Sequence, residues 1–325
     1  MKKQLIRLAA LTVLLFTMLC SLKCGIIEFS WSEIFGGLFS GSRTGVMLRE
    51  LRLARTLAAV LAGGALALSG TILQKVLHND LASPDILGIS GGAGCAGLTL
   101  ILLLPRWQMW LIPFAFSGAL LAALLVCLAA WKRELAPERL ILAGVALGAV
   151  FNSISGALLL CNSDKLSGIM EFSLGSFAGC SIAGIGLTMP FFLIIFIAAI
   201  FLPRRLDLLS LGRAEGTSMG LPVNRTRIAA LSVAALAAAT AVSLAGLLGF
   251  AGLMAPHIAA KLQNSFRSKD LLWLAPVIGG QLALTGDLLG RTLIAPAELP
   301  AGLFLSAAGA VFFLILLWNN RRSSI

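Results

Sequence analysis

Histidine is scarce in this chain, and recognisable catalytic motifs are missing. The 325 residues hold two histidines, His78 and His257, and six cysteines with no CxxC among them. Cys20 and Cys24 form a CxxxC with no histidine partners, so a metal centre or haem pair has no ligand set to draw on. Four of the cysteines (Cys20, Cys95, Cys127, Cys161) lie within or at the ends of apolar runs and read as small packing residues. No GxxxxGK[ST] phosphate loop occurs, so the chain holds no ATP by that route, and no cofactor is assigned to it. GxSxG, HExxH and paired catalytic carboxylates are missing too, which leaves no catalytic or metal-ligating residue to name. Charge is sparse: 25 Lys and Arg with 14 Asp and Glu fall mostly between long apolar runs. No soluble stretch is long enough for a second domain, so residues 1–325 read as one transmembrane domain.

What is present is apolar, 58% of the chain. An apolar helix of about 20 residues crosses the hydrocarbon core, where backbone groups must be satisfied internally. The spans predicted on that basis are 5–22, 53–77, 85–104, 110–131, 139–161, 180–202, 226–248, 271–290 and 299–318. A shorter piece, 249–262, is interrupted by Pro256 and reads as a tenth, short or broken span. The expectation is an all-α polytopic membrane protein. Its start, Met1-Lys2-Lys3 before an apolar run, also fits a signal peptide; without small residues at a cleavage site it reads as a retained first helix.

The net charge of +11 does not point to nucleic acid, because the arginines cluster at span ends. With ten spans and a cytoplasmic N-terminus, 17 of the 25 basic residues fall inside, and both termini are cytoplasmic. Without a crossing at 249–262, Arg321 and Arg322 would fall outside. Arg43, Arg49, Arg52 and Arg55 before the second span, and Arg291 after the ninth, run against this bias and face outward. They are either lipid-headgroup or solvated arginines, or a dock for an acidic patch on an external protein.

Glycines crowd particular spans, with Gly63, Gly64 and Gly70 in the second and GxxxG pairs at Gly144/Gly148 and Gly286/Gly290. Such faces let helices approach closely in lipid. Asp287 stands one turn before Arg291, and that spacing predicts an ion pair on one helix face. Asn152 and Ser153 put polar groups midway along the fifth span; lining a passage and bonding a neighbouring helix are equal readings. Residues 203–225 are too polar to cross and too long for a simple turn. Gly212 and Gly220 punctuate two weakly amphipathic segments there, suited to short helices at the membrane surface.

Particular segments match a known family. Arg52-Leu-Ala-Arg55-Thr, Ala67-Leu-Ser-Gly70, Asn79-Asp-Leu-Ala-Ser-Pro84 and Ile86-Leu-Gly-Ile-Ser-Gly-Gly-Ala93 resemble the opening signature of bacterial FecCD-type permeases. Leu142-Ala-Gly-Val-Ala-Leu-Gly148, Gly249-Phe-Ala-Gly-Leu-Met-Ala-Pro-His257, Asp287 with Arg291, and Glu298-Leu-Pro-Ala-Gly302 continue the match in order across roughly 45–320. These are membrane subunits of ABC importers for iron-siderophores, haem and vitamin B12. The resemblance implies a ten-helix, inverted-repeat type II importer fold, with two halves arranged around the sixth span. It also implies a dimer with an identical or paralogous permease, carried by two cytoplasmic ATPase subunits. In the family, the arginines matching Arg52, Arg55 and Arg291 pair with glutamates of a periplasmic or lipid-anchored binding protein. Asn79, Asp80 and Leu81 match a cytoplasmic gate, and 206–221, with Leu206, Leu211, Gly212, Ala214 and Gly220, matches the helices that couple to the ATPase. Departures are Ala54 and Asp80 where the family has proline, and Phe172 where it commonly has tryptophan.

The expected function is import of a ferric siderophore, haem or cobalamin across the inner membrane by alternating access, with ATP used by the partner subunits. A secondary transporter without an ATPase is the alternative, disfavoured by the missing run of buried carboxylates and by the long lever-like loop.

Overall fold

A computed structural model describes residues 2–25, 29–37, 42–132, 135–162 and 166–322. Arg133, used in the charge count, lies outside them. The described residues form helices and turns and no strand. Ten helices correspond to the predicted spans: α1 (Lys2–Lys23), α4 (Ala54–Leu77), α5 (Ile89–Leu103), α6 (Leu111–Ala130), α7 (Pro137–Cys161), α9 (Ile182–Phe201), α12 (Val223–Ala245), α13 (Ala251–Gln263), α14 (Ser268–Thr292) and α15 (Ala301–Arg322). Seven spans are long and apolar enough to cross a membrane, while α5 and α13 are short and α15 has a shorter apolar run. Five further helices are connectors: α2 (Trp31–Gly37), α3 (Arg43–Met47), α8 (Leu166–Leu174), α10 (Pro203–Leu209) and α11 (Arg213–Ser218).

The helices pack in two matching sets. In one, α5 packs on α6 and α6 on α7; in the other, α13 packs on α14 and α14 on α15. The leading helices α4 and α12 pack on each other, and each also packs into the opposite set, α4 on α13 and α14, α12 on α5 and α6. Both α5 and α13 start from a left-handed residue, Gly88 (φ 68°) and Phe250 (φ 64°). Such residues turn the chain sharply after a buried helix. This is the internal repeat expected of the fold, with α9 packed between the sets on α12 and α4.

Antiparallel α4 and α14 form the densest pairing, which small residues make possible. A methyl group at Gly63 would fall on the Gly279 carbonyl, and one at Gly70 on the Gly252 carbonyl of α13. Both helices are largely buried. Polar contacts fasten α1 along α14. Arg7 Nη2 (2.5 Å) and Lys3 Nζ (2.6 Å) grip Asp270, and Gln281 Nε2 donates to Thr17 Oγ1 at 2.9 Å.

Candidate functional site

The α4–α14 pair has chemistry at both ends. The Arg55 end begins with a π-helical turn, Leu48–Leu53, which runs directly into α4. Arg55 Nε donates to Asp287 Oδ1 at 2.8 Å and its Nη1 to Glu298 Oε2 at 2.6 Å. Arg291 Nε lies 3.1 Å from the other Asp287 oxygen, the i,i+4 pair that the spacing predicts. Arg291 Nη2 also donates to Ser21 Oγ of α1 at 2.7 Å, and Ser21 shares a 2.8 Å hydrogen bond with Thr56. Asp287 is thus held between two guanidinium groups, and α1, α4 and α14 meet at one charge cluster. Glu298 reaches it because the loop after α14 folds back, Leu299 N donating to Gly290 O at 3.0 Å.

Arg291 is buried, a depth that its sequence position does not mark. It is 1% exposed and Arg55 8%, both turned inward because Asp287 supplies the counter-charge that makes burial tolerable. Arg52 is half-buried and donates from Nη1 to the Cys24 carbonyl at 2.7 Å; Arg43 is exposed. Glu298 entered the sequence reading only as part of a motif. Its partner lies 243 positions away, and no local spacing marks it.

At the His78 end, α4 stops on a left-handed His78 (φ 50°). Asn79 then closes a turn, its Oδ1 accepting from Leu81 N at 2.9 Å and its carbonyl from Ala82 N at 3.0 Å. Asp80 and Leu81 are exposed, so the acid that stands in place of proline points away from packed surface. The helix α10 lies against this turn, with α11 packed on α10. His78 Nε2 is 2.8 Å from the Leu209 carbonyl, and Asp207 Oδ1 accepts from Ser268 N at 2.9 Å, capping α14 from another element. Lys75 Nζ donates to the Phe266 carbonyl at 2.7 Å.

The coupling candidates divide. Leu206 is fully buried and anchors α10 inward, so it is not on a partner-facing surface. Leu211, Ala214 and Met219 are exposed on the opposite side. Gly212 (φ 111°) and Gly220 (φ 80°) hold backbone conformations that other residues adopt at a cost. On α7, Asn152 and Ser153 are exposed, with Leu142, Val145 and Val150 on the same helix. Ser153 Oγ donates to its own helix at Ala149 O (2.8 Å), and among the described residues neither side chain bonds a neighbouring helix. His257 sits inside α13 rather than at a helix end, its Nδ1 3.0 Å from Leu253 O and its ring edge-on to Phe313.

The comparisons with known proteins agree with this architecture. The model of the FecCD transport family matches residues 13–319. The chain is 38% identical over 272 residues to the Fe(3+)-citrate import system permease protein YfmE of Bacillus subtilis, covering 83% of this chain and 81% of that one. It is 33% identical over 304 residues to the Fe(3+) dicitrate transport system permease protein FecD of Escherichia coli, covering 93% and 95%. It is 34% identical to the Iron(3+)-hydroxamate import system permease protein FhuG of B. subtilis, covering 91% of each. A solved inward-facing metal-chelate type ABC transporter superposes with TM-score 0.86 at 26% identity, over 97% of this chain and 99% of that one. A match of this length to the family model, together with a shared fold, is decisive: the chain belongs to the FecCD transport family.

Proposed function

We propose that this membrane-spanning ABC importer permease carries a ferric chelate of the citrate, hydroxamate or siderophore type into the cytoplasm. The observation that carries the reading is the family match over residues 13–319, joined to relatives named for those iron chelates. The Arg55 end faces outward and receives a binding protein, while the His78 end faces the cytoplasm with both termini. The exposed side of α10–α11, with Leu211 and Ala214, meets the ATPase subunits. The exposed polar pair Asn152 and Ser153 on α7 lies along the passage between this chain and a second permease, identical or paralogous. ATP supplies differential contacts at α10–α11, and the helices re-tilt between outward- and inward-open states. The chain brings no cofactor to this cycle.

Uptake of radioactive-iron chelates in cells with and without the gene tests the reading. The panel is ferric citrate, ferric hydroxamates and ferric catecholates, with haem and cobalamin beside them. Loss of one iron chelate, restored by the gene, supports it. Loss of haem or cobalamin instead moves the cargo within the family, and no loss in a strain stripped of paralogous permeases overturns iron transport.

A further inference from the structure

An acidic partner arriving at the Arg55 end meets a cation that is already occupied. Arg55 is 8% exposed and gives separate nitrogens to Asp287 and Glu298, at 2.8 and 2.6 Å. The two carboxylates are not equivalent. Asp287 has a fully buried side chain shared with Arg291, whereas the Glu298 side chain is one-third exposed. Glu298 also lies on a loop, between α14 and α15, whose residues 293–298 are exposed throughout. The inner trio of Arg55, Asp287 and Arg291 carries one unbalanced positive charge, and Glu298 is the solvent-side group that neutralises it.

We propose that Glu298 is a built-in substitute for the docking partner's carboxylate. It holds Arg55 in the undocked transporter and gives way to an acidic side chain of the binding protein on docking. The proposal rests on the docking reading above. The surplus positive charge of the buried trio cannot stand uncompensated between encounters, because an unbalanced buried charge is strongly destabilising. Glu298 supplies the missing partner at no cost to access, since it alone of the two carboxylates is at the surface. Docking then exchanges one charge-assisted pair for another, and its strength is a difference rather than a full ion-pair gain. The tethered carboxylate also recaptures Arg55 at high effective concentration, which speeds release of the spent partner.

The test uses the whole transporter, permease with its ATPase subunits, in lipid nanodiscs at low salt. The probe is the transporter's substrate-binding protein, loaded with the iron chelate that the uptake panel identifies. Glu298→Gln is expected to tighten docking about tenfold or more, mainly through slower dissociation, by removing a charged competitor for one hydrogen bond. The same change is expected to lower the unfolding temperature of the undocked transporter. Lower stability with unchanged or weaker docking is what a purely structural glutamate gives, and it overturns the exchange. Glu298→Asp keeps the charge on a side chain one methylene shorter, and it is expected to tighten docking less than Gln. It carries the test alone if the Gln variant does not assemble. Arg52→Glu separates the two readings. If it weakens docking while both Glu298 variants dock like the wild type, the exchange fails and docking stands; if it leaves docking unchanged, both fail.

Discussion

The two ends of the α4–α14 pair are built on different principles. At the Arg55 end, ionised side chains are buried and meet each other: Asp287 between Arg55 and Arg291, with Glu298 closing the cluster. At the His78 end, the partly exposed Lys3 and Arg7 grip Asp270, and the other side chains reach for single backbone groups. His78 meets the Leu209 carbonyl, Lys75 the Phe266 carbonyl, and Asp207 the Ser268 amide. Buried ion pairs are costly to break, because the abandoned partner has no water to turn to. Single bonds at an accessible surface are each worth about 1 kcal/mol and re-form elsewhere. One end suits a joint that keeps three helices in register. The other suits a contact that can slip and re-form, as the coupling role proposed for α10–α11 requires.

Removing one acid from each end tests this contrast most strongly. Asp287→Ala leaves two buried guanidinium groups facing each other and is expected to cost about 3–5 kcal/mol, enough to deplete folded protein from membranes. Asp207→Ala removes a helix cap and is expected to cost about 1 kcal/mol. Thermal unfolding of the two variants in detergent, with folded yield by size-exclusion fluorescence, measures both. Equal losses would mean that the Arg55 end is wetter than its burial indicates, and the distinction between the ends would go.

Only part of this contrast was legible in the sequence. Apolar runs locate the ten spans within a few residues, because crossing hydrocarbon requires a sustained apolar segment. The third span is the exception: 85–104 was expected, whereas α5 starts at Ile89. Ser83, Pro84 and left-handed Gly88 spend the first residues of that apolar run on a turn. The Asp287–Arg291 pair was legible because helix geometry sets an i,i+4 neighbour. Arg55 with Glu298, and His78 with Leu209, were not, since each joins distant elements whose meeting depends on tertiary packing. The burial of Arg291 was hidden for the same reason: charge counting assigns a side of the membrane, not a depth. The connectors α2, α3 and α8 are too short for periodicity to reveal.

A smaller effect is expected at the His78 end itself. Gly220 closes α11 at φ 80° with no other atom near its missing side chain, so a substitution there acts through backbone strain alone. Gly220→Val is expected to cost about 1–2 kcal/mol locally and to reset the angle between α11 and α12. In proteoliposomes with the ATPase subunits, ATP hydrolysed per iron transported should rise several-fold while folded yield stays near normal. A wild-type ratio would remove α10–α11 from the coupling path.

The least perturbing probe reports on dryness at the Arg55 end. Cys180 lies in the connection between α8 and α9, its Sγ–H donating to the Leu244 carbonyl at 3.0 Å. Burial, with the nearby Asp287 charge adding to it, pushes its thiol up to about 12. A thiol reacts as its thiolate, and the raised value keeps Cys180 neutral at pH 8. Its ionised form gains only as pH nears that raised value, so moving from pH 7 to 9 leaves the group neutral. Cys161, at the end of α7, is exposed. In single-cysteine variants, a water-soluble maleimide is expected to label Cys161 at least a hundredfold faster than Cys180 at pH 7, with the gap persisting at pH 9. Comparable rates would mean that water reaches the surroundings of Asp287. The buried-ion account of that end would then give way to one of solvated pairs, whose rupture costs little. A wide gap that narrows only when Glu298→Gln is introduced would tie the dryness of the cluster to the carboxylate that closes it.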